Sequence, residues 1–385
     1  MASLPAPFRL AAFYFAYFGY LGAFTPYFSL WLKEGGLAAA QIAIVVALPQ
    51  FVKVVAPTLL AWLADTRGAR RPFIIATTTL TAASLALLPL TEGFWGVCAV
   101  VLLMGLASSG TLPMIEATTM SVLGGRSERY GPIRLWGSVG FILTVMGTGA
   151  LLDVLPMGAF LAVVVGLSAL AAGTACLVPE TAAGVAQRPG PETRAAAHAT
   201  AAWLRAEVMA FFAACFCMTV AHGALYAFYS IYLVQAGYSK TVVGLLWTLG
   251  VLAEIVLFWK LPRLYARASL WAILCASCLC AAVRFAAIGW GVGSLAVLVL
   301  AQVLHGATFG AYHAAAVAAV HKLFPGERQV RGQALYSSLS YGLGGAVGML
   351  LAGWCWEAVG PAWTFGVSAG FGLLGAALVA WRVRV

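Results

Sequence analysis

Charge is what this sequence has least of. Only 9% of its 385 residues are Asp, Glu, Lys or Arg, where a soluble globular domain carries about 25%. Together with a hydrophobic share of 63%, that scarcity excludes a water-soluble fold and points to an integral membrane protein. A phosphate-cradling G-x-x-x-x-G-K-[ST] run is absent, so ATP-driven pumping by this chain is not expected. The eight cysteines lack zinc or disulfide spacing; the densest set, Cys275, Cys278 and Cys280, sits in an apolar run and reads as small buried side chains. No nucleophile, metal-ligand or cofactor motif accompanies the histidines, which argues against an intramembrane enzyme and for a chain without cofactor or metal. The first apolar segment is long and more follow it, so a cleavable signal peptide is not expected.

What is present is a series of apolar runs, each about the 20 residues that a spanning helix needs. They lie near 8–32, 41–63, 72–91, 94–123, 131–152, 156–178, 204–234, 241–262, 268–290, 293–320, 332–353 and 360–381. The 42 glycines suit closely packed spanning helices. The net charge of +10 is a topology signal rather than a nucleic-acid patch. Seventeen basic residues, among them Arg9, Arg70, Arg71, Arg188, Lys322 and Arg384, fall on the side of the N-terminus. Only Lys33 and Lys240 fall on the other side. By the positive-inside rule both termini are cytoplasmic, in a multi-pass protein of the bacterial inner membrane. The expected working form is a monomer in the bilayer that meets a small solute and protons, and no nucleic acid.

The chain also repeats. "YFSLWLKEGGLAAAQIA" from Tyr27 overlies "FYSIYLVQAGYSKTVVG" from Phe228, with Ser29 over Ser230 and Gly36 over Gly237. Gly105 over Gly306 and Gly131 over Gly332 keep the same offset of 201. The one long polar stretch, 179–205, separates two six-helix halves, 1–178 and 206–385. The fold expected is therefore all-α, with twelve transmembrane helices in two pseudo-symmetric bundles and the solute site between them near mid-membrane.

That layout, and the loop "LADTRGARR" with Asp65, Gly68, Arg70 and Arg71 in place, resemble the major facilitator superfamily. The loop departs from the signature at Ala61, Thr66 and Ala69. Through "PYFSLWLKEGGL", "YGPIRLWGSVGF", "AGYSKTVVGLLWTLGVLAEI" and "QVLHGATFGAYH" the chain is similar to the 3-phenylpropionate permease-like group, relatives of lactose permease. The resemblance implies proton-coupled uptake of a small organic solute by alternating access.

Eight ionisable residues lie inside the spans: Lys53, Glu116, Arg134, His222, Glu254, Arg284, His305 and His313. Such residues are costly in lipid and face an interior or a cavity. Glu116 and Arg134 flank the turn "GGRSER" at about nine residues on either side, hence at equal depth at ~1.5 Å per residue. Carboxylate and guanidinium can therefore meet, as a static pair or as a binding site. The resemblance favours the site, because lactose permease has a sugar-binding Glu and Arg at the matching positions, and Phe141 stands where it stacks a tryptophan. Lys53 and Glu254 are 201 apart and thus repeat equivalents. His305 is nearly level with Glu254, Arg284 somewhat nearer the periplasm, and His313 two turns from His305 and about 80° round the helix. His222 reads as a core histidine. The position at which lactose permease carries its proton-bearing acid is Thr308 here, so Glu254, with His305 beside it and Arg284 and His313 in the same proton-coupling cluster, is the expected coupling acid.

On the first span Phe13, Tyr17, Tyr20, Phe24, Tyr27 and Trp31 recur every three or four residues and share one face. They read either as packing or as a pocket wall in which Tyr20, Phe24 and Tyr27 stack on an aromatic substrate. Three cations against two carboxylates within the spans favour an anionic solute. An aromatic monocarboxylate such as 3-phenylpropionate leads, with Lys53 as a further contact to the anion. A sugar or nucleoside symporter and an exporter of amphiphilic compounds remain as alternatives.

Overall fold

The computed structural model describes residues 5–67, 69–124, 126–180, 205–326 and 328–382. Among the described residues every regular element of three or more residues is helical. In chain order the first helices are α1 (Ala6–Glu34), α2 (Ala39–Val52), α3 (Ala56–Thr66), α4 (Arg71–Leu87), α5 (Gly93–Ser108), α6 (Thr111–Leu123), α7 (Tyr130–Val154) and α8 (Ala159–Ala175). Then follow α9 (Ala206–Gln235), α10 (Lys240–Tyr265), α11 (Leu270–Gly291), α12 (Leu295–Val303), α13 (Tyr312–Leu323), α14 (Arg328–Tyr336), α15 (Gly345–Ala358) and α16 (Gly360–Arg382). Two π-helical segments, Gly306–Ala311 and Ser337–Gly344, join α12 to α13 and α14 to α15. Among the described residues nine helical stretches are long and apolar enough to cross a membrane, and Ala39–Val52 and Ala159–Ala175 are shorter apolar helices.

The expected span 41–63 is not one helix. It breaks between α2 and α3, and the cause is local. Pro57 has no N–H to give the Lys53 carbonyl four residues back, and Val54 and Val55 turn instead onto Phe51 O and Val52 O.

Contacts gather the chain into two compact units. One comprises 1–188 with 238–245, the other 189–237 with 246–385. The stretch expected to link the halves, 179–205, lies almost wholly outside the described residues. Within the units the 201-residue repeat is visible in the backbone. Gly36 and Gly237, which end the turns after α1 and α9, have φ of 85° and 92°, a left-handed conformation open to glycine at little cost. The next membrane helices start 201 residues apart, at Ala39 and Lys240. Close packing repeats as well. A Cβ on Gly22 would sit 2.5 Å from Phe141 O, where α1 crosses α7. One on Gly223 would overlap the backbone of Gly348, where α9 crosses α15. In the first unit the α1–α7 contact is further tied by Thr144 Oγ1, which donates to Gly19 O at 2.7 Å. Hydrogen bonds between helices are a main source of cohesion in lipid, where hydrophobic burial gives little.

Candidate functional site

In the first unit, Glu116 on α6 lies within electrostatic range of Arg134 on α7. The direct contact expected between them is not formed. Glu116 Oε1 instead accepts a hydrogen bond from Tyr130 Oη at 3.3 Å. The Arg134 guanidinium lies on aromatic faces, with Cζ 3.8 Å from the Phe18 ring centre and 5.6 Å from that of Tyr14. Tyr14 Oη in turn meets Thr119 Oγ1 at 3.2 Å, which ties α1 to α6. No hydrogen bond of the Arg134 guanidinium occurs among the described residues. A half-buried cation with five free N–H donors can receive an anion.

The aromatic stripe of α1 forms as expected, and most of it is packed inside the protein. Tyr27 is fully buried and its hydroxyl donates to Val145 O at 2.8 Å and Lys240 O at 3.1 Å. Tyr20 is buried with its hydroxyl on Met104 Sδ at 3.6 Å. Phe24 is half-buried and stacks on Phe28, centroids 4.4 Å apart. Of these three, Phe24 is the one with surface left for a ligand. Phe141, about two turns beyond Arg134, is half-buried. Lys53 sits exposed at the α2–α3 break and donates to Gln50 Oε1 at 3.1 Å. In the loop signature, Arg70 reaches Ser121 Oγ at 3.3 Å and Arg71 reaches Cys176 O at 2.6 Å. Gly68 and the side chain of Asp65 lie outside the described residues.

In the second unit Arg284 behaves in the opposite way to Arg134. It is 1% exposed, and it spends its donors on neutral oxygens. Nε donates to Ala301 O, Nη1 to Thr308 Oγ1 and Nη2 to Gln302 Oε1, each at 3.0 Å. Thr308, standing where the resemblance expects an acid, thus serves as a neutral acceptor. Glu254 on α10 packs against the π segment, since a Cβ on Gly310 would lie 3.2 Å from its Cγ. His305 packs the other way, onto Gly250 of α10, at 3.2 Å from a Cβ there. Its Nδ1 is buried without a hydrogen-bond partner. The sequence places His313 about 80° round from His305 on a regular α-helix. Here the wider π turn holds extra residues, and His305, Phe309 and His313 stack in one column at 5.3 and 6.3 Å. His313 Nδ1 meets Tyr341 Oη at 2.9 Å and Tyr336 Oη at 3.2 Å. His222 is buried, with Nδ1 on Met218 O at 2.8 Å, as a core histidine. Among the described residues no three His, Cys, Asp or Glu gather as metal ligands.

Residues 8–367 of this chain match the MFS_1 like family. The chain belongs to that family. It is 31% identical over 364 residues, 91% of each chain, to the probable 3-phenylpropionic acid transporter of Escherichia coli (strain K12). A shorter match, 29% over 142 residues and 37% of this chain, is to the maltose permease of Geobacillus stearothermophilus. Among solved structures, the nucleoside transporter NupG shares the fold with a TM-score of 0.82 and 17% identity, over 98% of this chain and 99% of that one. A bacterial homolog of the human lysosomal transporter Spinster gives a TM-score of 0.72 at 15% identity, over 97% and 95%. Membership of this family makes the chain a secondary transporter of the major facilitator fold, embedded in a membrane and carrying a small molecule. It is not an enzyme.

Several residues of these clusters escape a reading of the sequence. Phe18 follows Tyr17 directly and so falls off the three-and-four spacing of the stripe. Tyr130 precedes Arg134 by one turn, and that spacing is a signal for a shared face. Gln302, a lone amide in an apolar run, carries the weaker signal that any polar group in lipid needs a partner.

Proposed function

We propose that this family member is a proton-coupled importer of an aromatic monocarboxylate such as 3-phenylpropionate. The observation that carries the reading is the contrast between the two arginines. Arg284 is consumed by three neutral acceptors, whereas Arg134 is held by its face and keeps its donor edge. A guanidinium edge matches a carboxylate with two parallel N–H···O bonds. Phe24, Phe141 and the neighbouring rings supply apolar surface for the phenyl group. The relative whose printed name is a probable 3-phenylpropionic acid transporter supports the same class of substrate.

Glu254 is the proposed coupling acid and His305 its neighbour in proton exchange, because both pack across the same α10–π contact. Both termini are placed in the cytoplasm, with the protein in the inner membrane. One proton moving with one carboxylate transfers no net charge, so uptake draws on the pH difference. An inside-alkaline step of one unit then supports up to about tenfold accumulation.

The test is uptake of labelled 3-phenylpropionate into proteoliposomes. An imposed pH gradient should drive accumulation, and a membrane potential alone should not. Accumulation of glucose or uridine with none of the aromatic acid would overturn the reading.

A further inference from the structure

We propose that Gly137 and Phe18 are positioning residues that together orient Arg134 and thereby set the preference for a carboxylate over its neutral counterpart. The proposal rests on the carboxylate reading above and adds the parts that make Arg134 selective.

An arginine side chain has many rotamers and so much conformational entropy to lose. A free one would lose that freedom on each binding event, and holding it in place beforehand removes the loss. A guanidinium can be held in two ways, by its N–H edge or by its flat face. Holding it by the edge uses the donors that a carboxylate needs, as happens at Arg284. Holding it by the face leaves them free, because the attraction runs from the cation to the electron-rich ring. Phe18 provides that face, 3.8 Å from Arg134 Cζ. The ring is itself fixed, edge-on to Tyr17 at 5.4 Å and stacked with Tyr14 at 6.4 Å.

The arrangement requires a gap in the surface of α7, and Gly137 is that gap. It follows Arg134 by three residues and is buried. A Cβ there would lie 2.7 Å from Arg134 Nη1 and 2.9 Å from Phe18 Cδ2. Both distances are below ordinary contact, so any side chain at 137 displaces the guanidinium, the ring or both. Close approaches recur along this helix, at Gly140 against Phe15 O and at Gly149 against Tyr27 Oη, but the one at Gly137 is the one that meets the guanidinium. Gly131 and Gly147 on the same helix have no atom within 4 Å of a Cβ.

The experiment measures dissociation constants of 3-phenylpropionate and of its neutral amide on purified protein, wild type against Gly137→Ala, Phe18→Leu and Phe18→Tyr. Wild type is expected to favour the carboxylate. Gly137→Ala and Phe18→Leu should each weaken carboxylate binding by about tenfold while the amide changes less than about twofold. Phe18→Tyr keeps an aromatic face and should retain the preference. Should Gly137→Ala fail to fold, the two Phe18 variants carry the test alone. Equal losses for both ligands would mean that the residues only shape the pocket, and unchanged selectivity would mean that they do not orient Arg134. Either overturns the proposal with the carboxylate reading intact. A wild type that does not prefer the carboxylate overturns that reading, and the proposal with it.

Discussion

Asp153, at the end of α7, caps the start of α10 at Thr241. Its Oδ2 accepts from Thr241 N at 2.9 Å and from Thr241 Oγ1 at 2.6 Å, and its Oδ1 from Lys240 N at 2.7 Å. The first N–H groups of a helix have no partner within it, and a carboxylate placed there also meets the positive end of the helix dipole. This cap lies 87 residues away in sequence and holds 238–245 to the first unit. Asp153→Ala should lower stability by about 1 kcal/mol, read as an earlier thermal unfolding transition in detergent. Asp153→Asn, which keeps an acceptor, should lose less. An unchanged transition in both would show that water replaces the cap without cost.

The two arginines, Arg134 half-buried and Arg284 buried, should fail differently when replaced. Arg134→Ala is expected to abolish binding of the aromatic acid almost completely with folding less affected. Arg134→Lys should rescue poorly, because a point charge cannot form the two-bond fork. Arg284→Ala leaves Gln302 and Thr308 without their donor in the interior, a loss of about 1–3 kcal/mol for each unsatisfied group. It should therefore cost expression and thermal stability first. The measurement is titration calorimetry beside thermal unfolding on the same preparations. A stable Arg284→Ala protein that no longer binds would reverse the assignment.

Glu254→Gln should separate coupling from recognition. The amide keeps shape and polarity and cannot release a proton. Binding and exchange of labelled for unlabelled substrate should persist, while accumulation against a gradient is lost. If the variant still concentrates substrate at the wild-type rate, Glu254 is not the proton carrier. His313, held by Tyr336 and Tyr341, or Glu116 then becomes the next residue to replace.

Orientation is open to a direct check. The bias of seventeen basic residues to two predicts that a reporter fused at Arg188 or at the C-terminus stays cytoplasmic. One inserted in the loop at Lys240 should be periplasmic. A periplasmic signal from position 188 would contradict the positive-inside assignment.

Membrane class, helical architecture and the repeat were all legible without coordinates. Lipid offers the backbone no hydrogen bonds, so an apolar run of spanning length has to be a helix. An offset of 201 that pairs Gly36 with Gly237 carries over into matching turns at those positions. The position of a pair about a turn was legible too, since Glu116 and Arg134, equally far from theirs, lie within electrostatic range. Side-chain partners were not. Arg134 lies on the ring of Phe18, which stands 116 residues earlier in the chain, with Gly137 close to both. The alignment of His305 with His313 depended on a π turn that regular helical spacing does not anticipate. Pro57 was visible, yet the break it causes at Lys53 emerged only from where the Val54 and Val55 amides turned. Composition and period act along the chain, and they determine which segments form and how deep each residue lies. Which neighbour a charged group meets is settled by packing across helices, where the space for even one Cβ is felt.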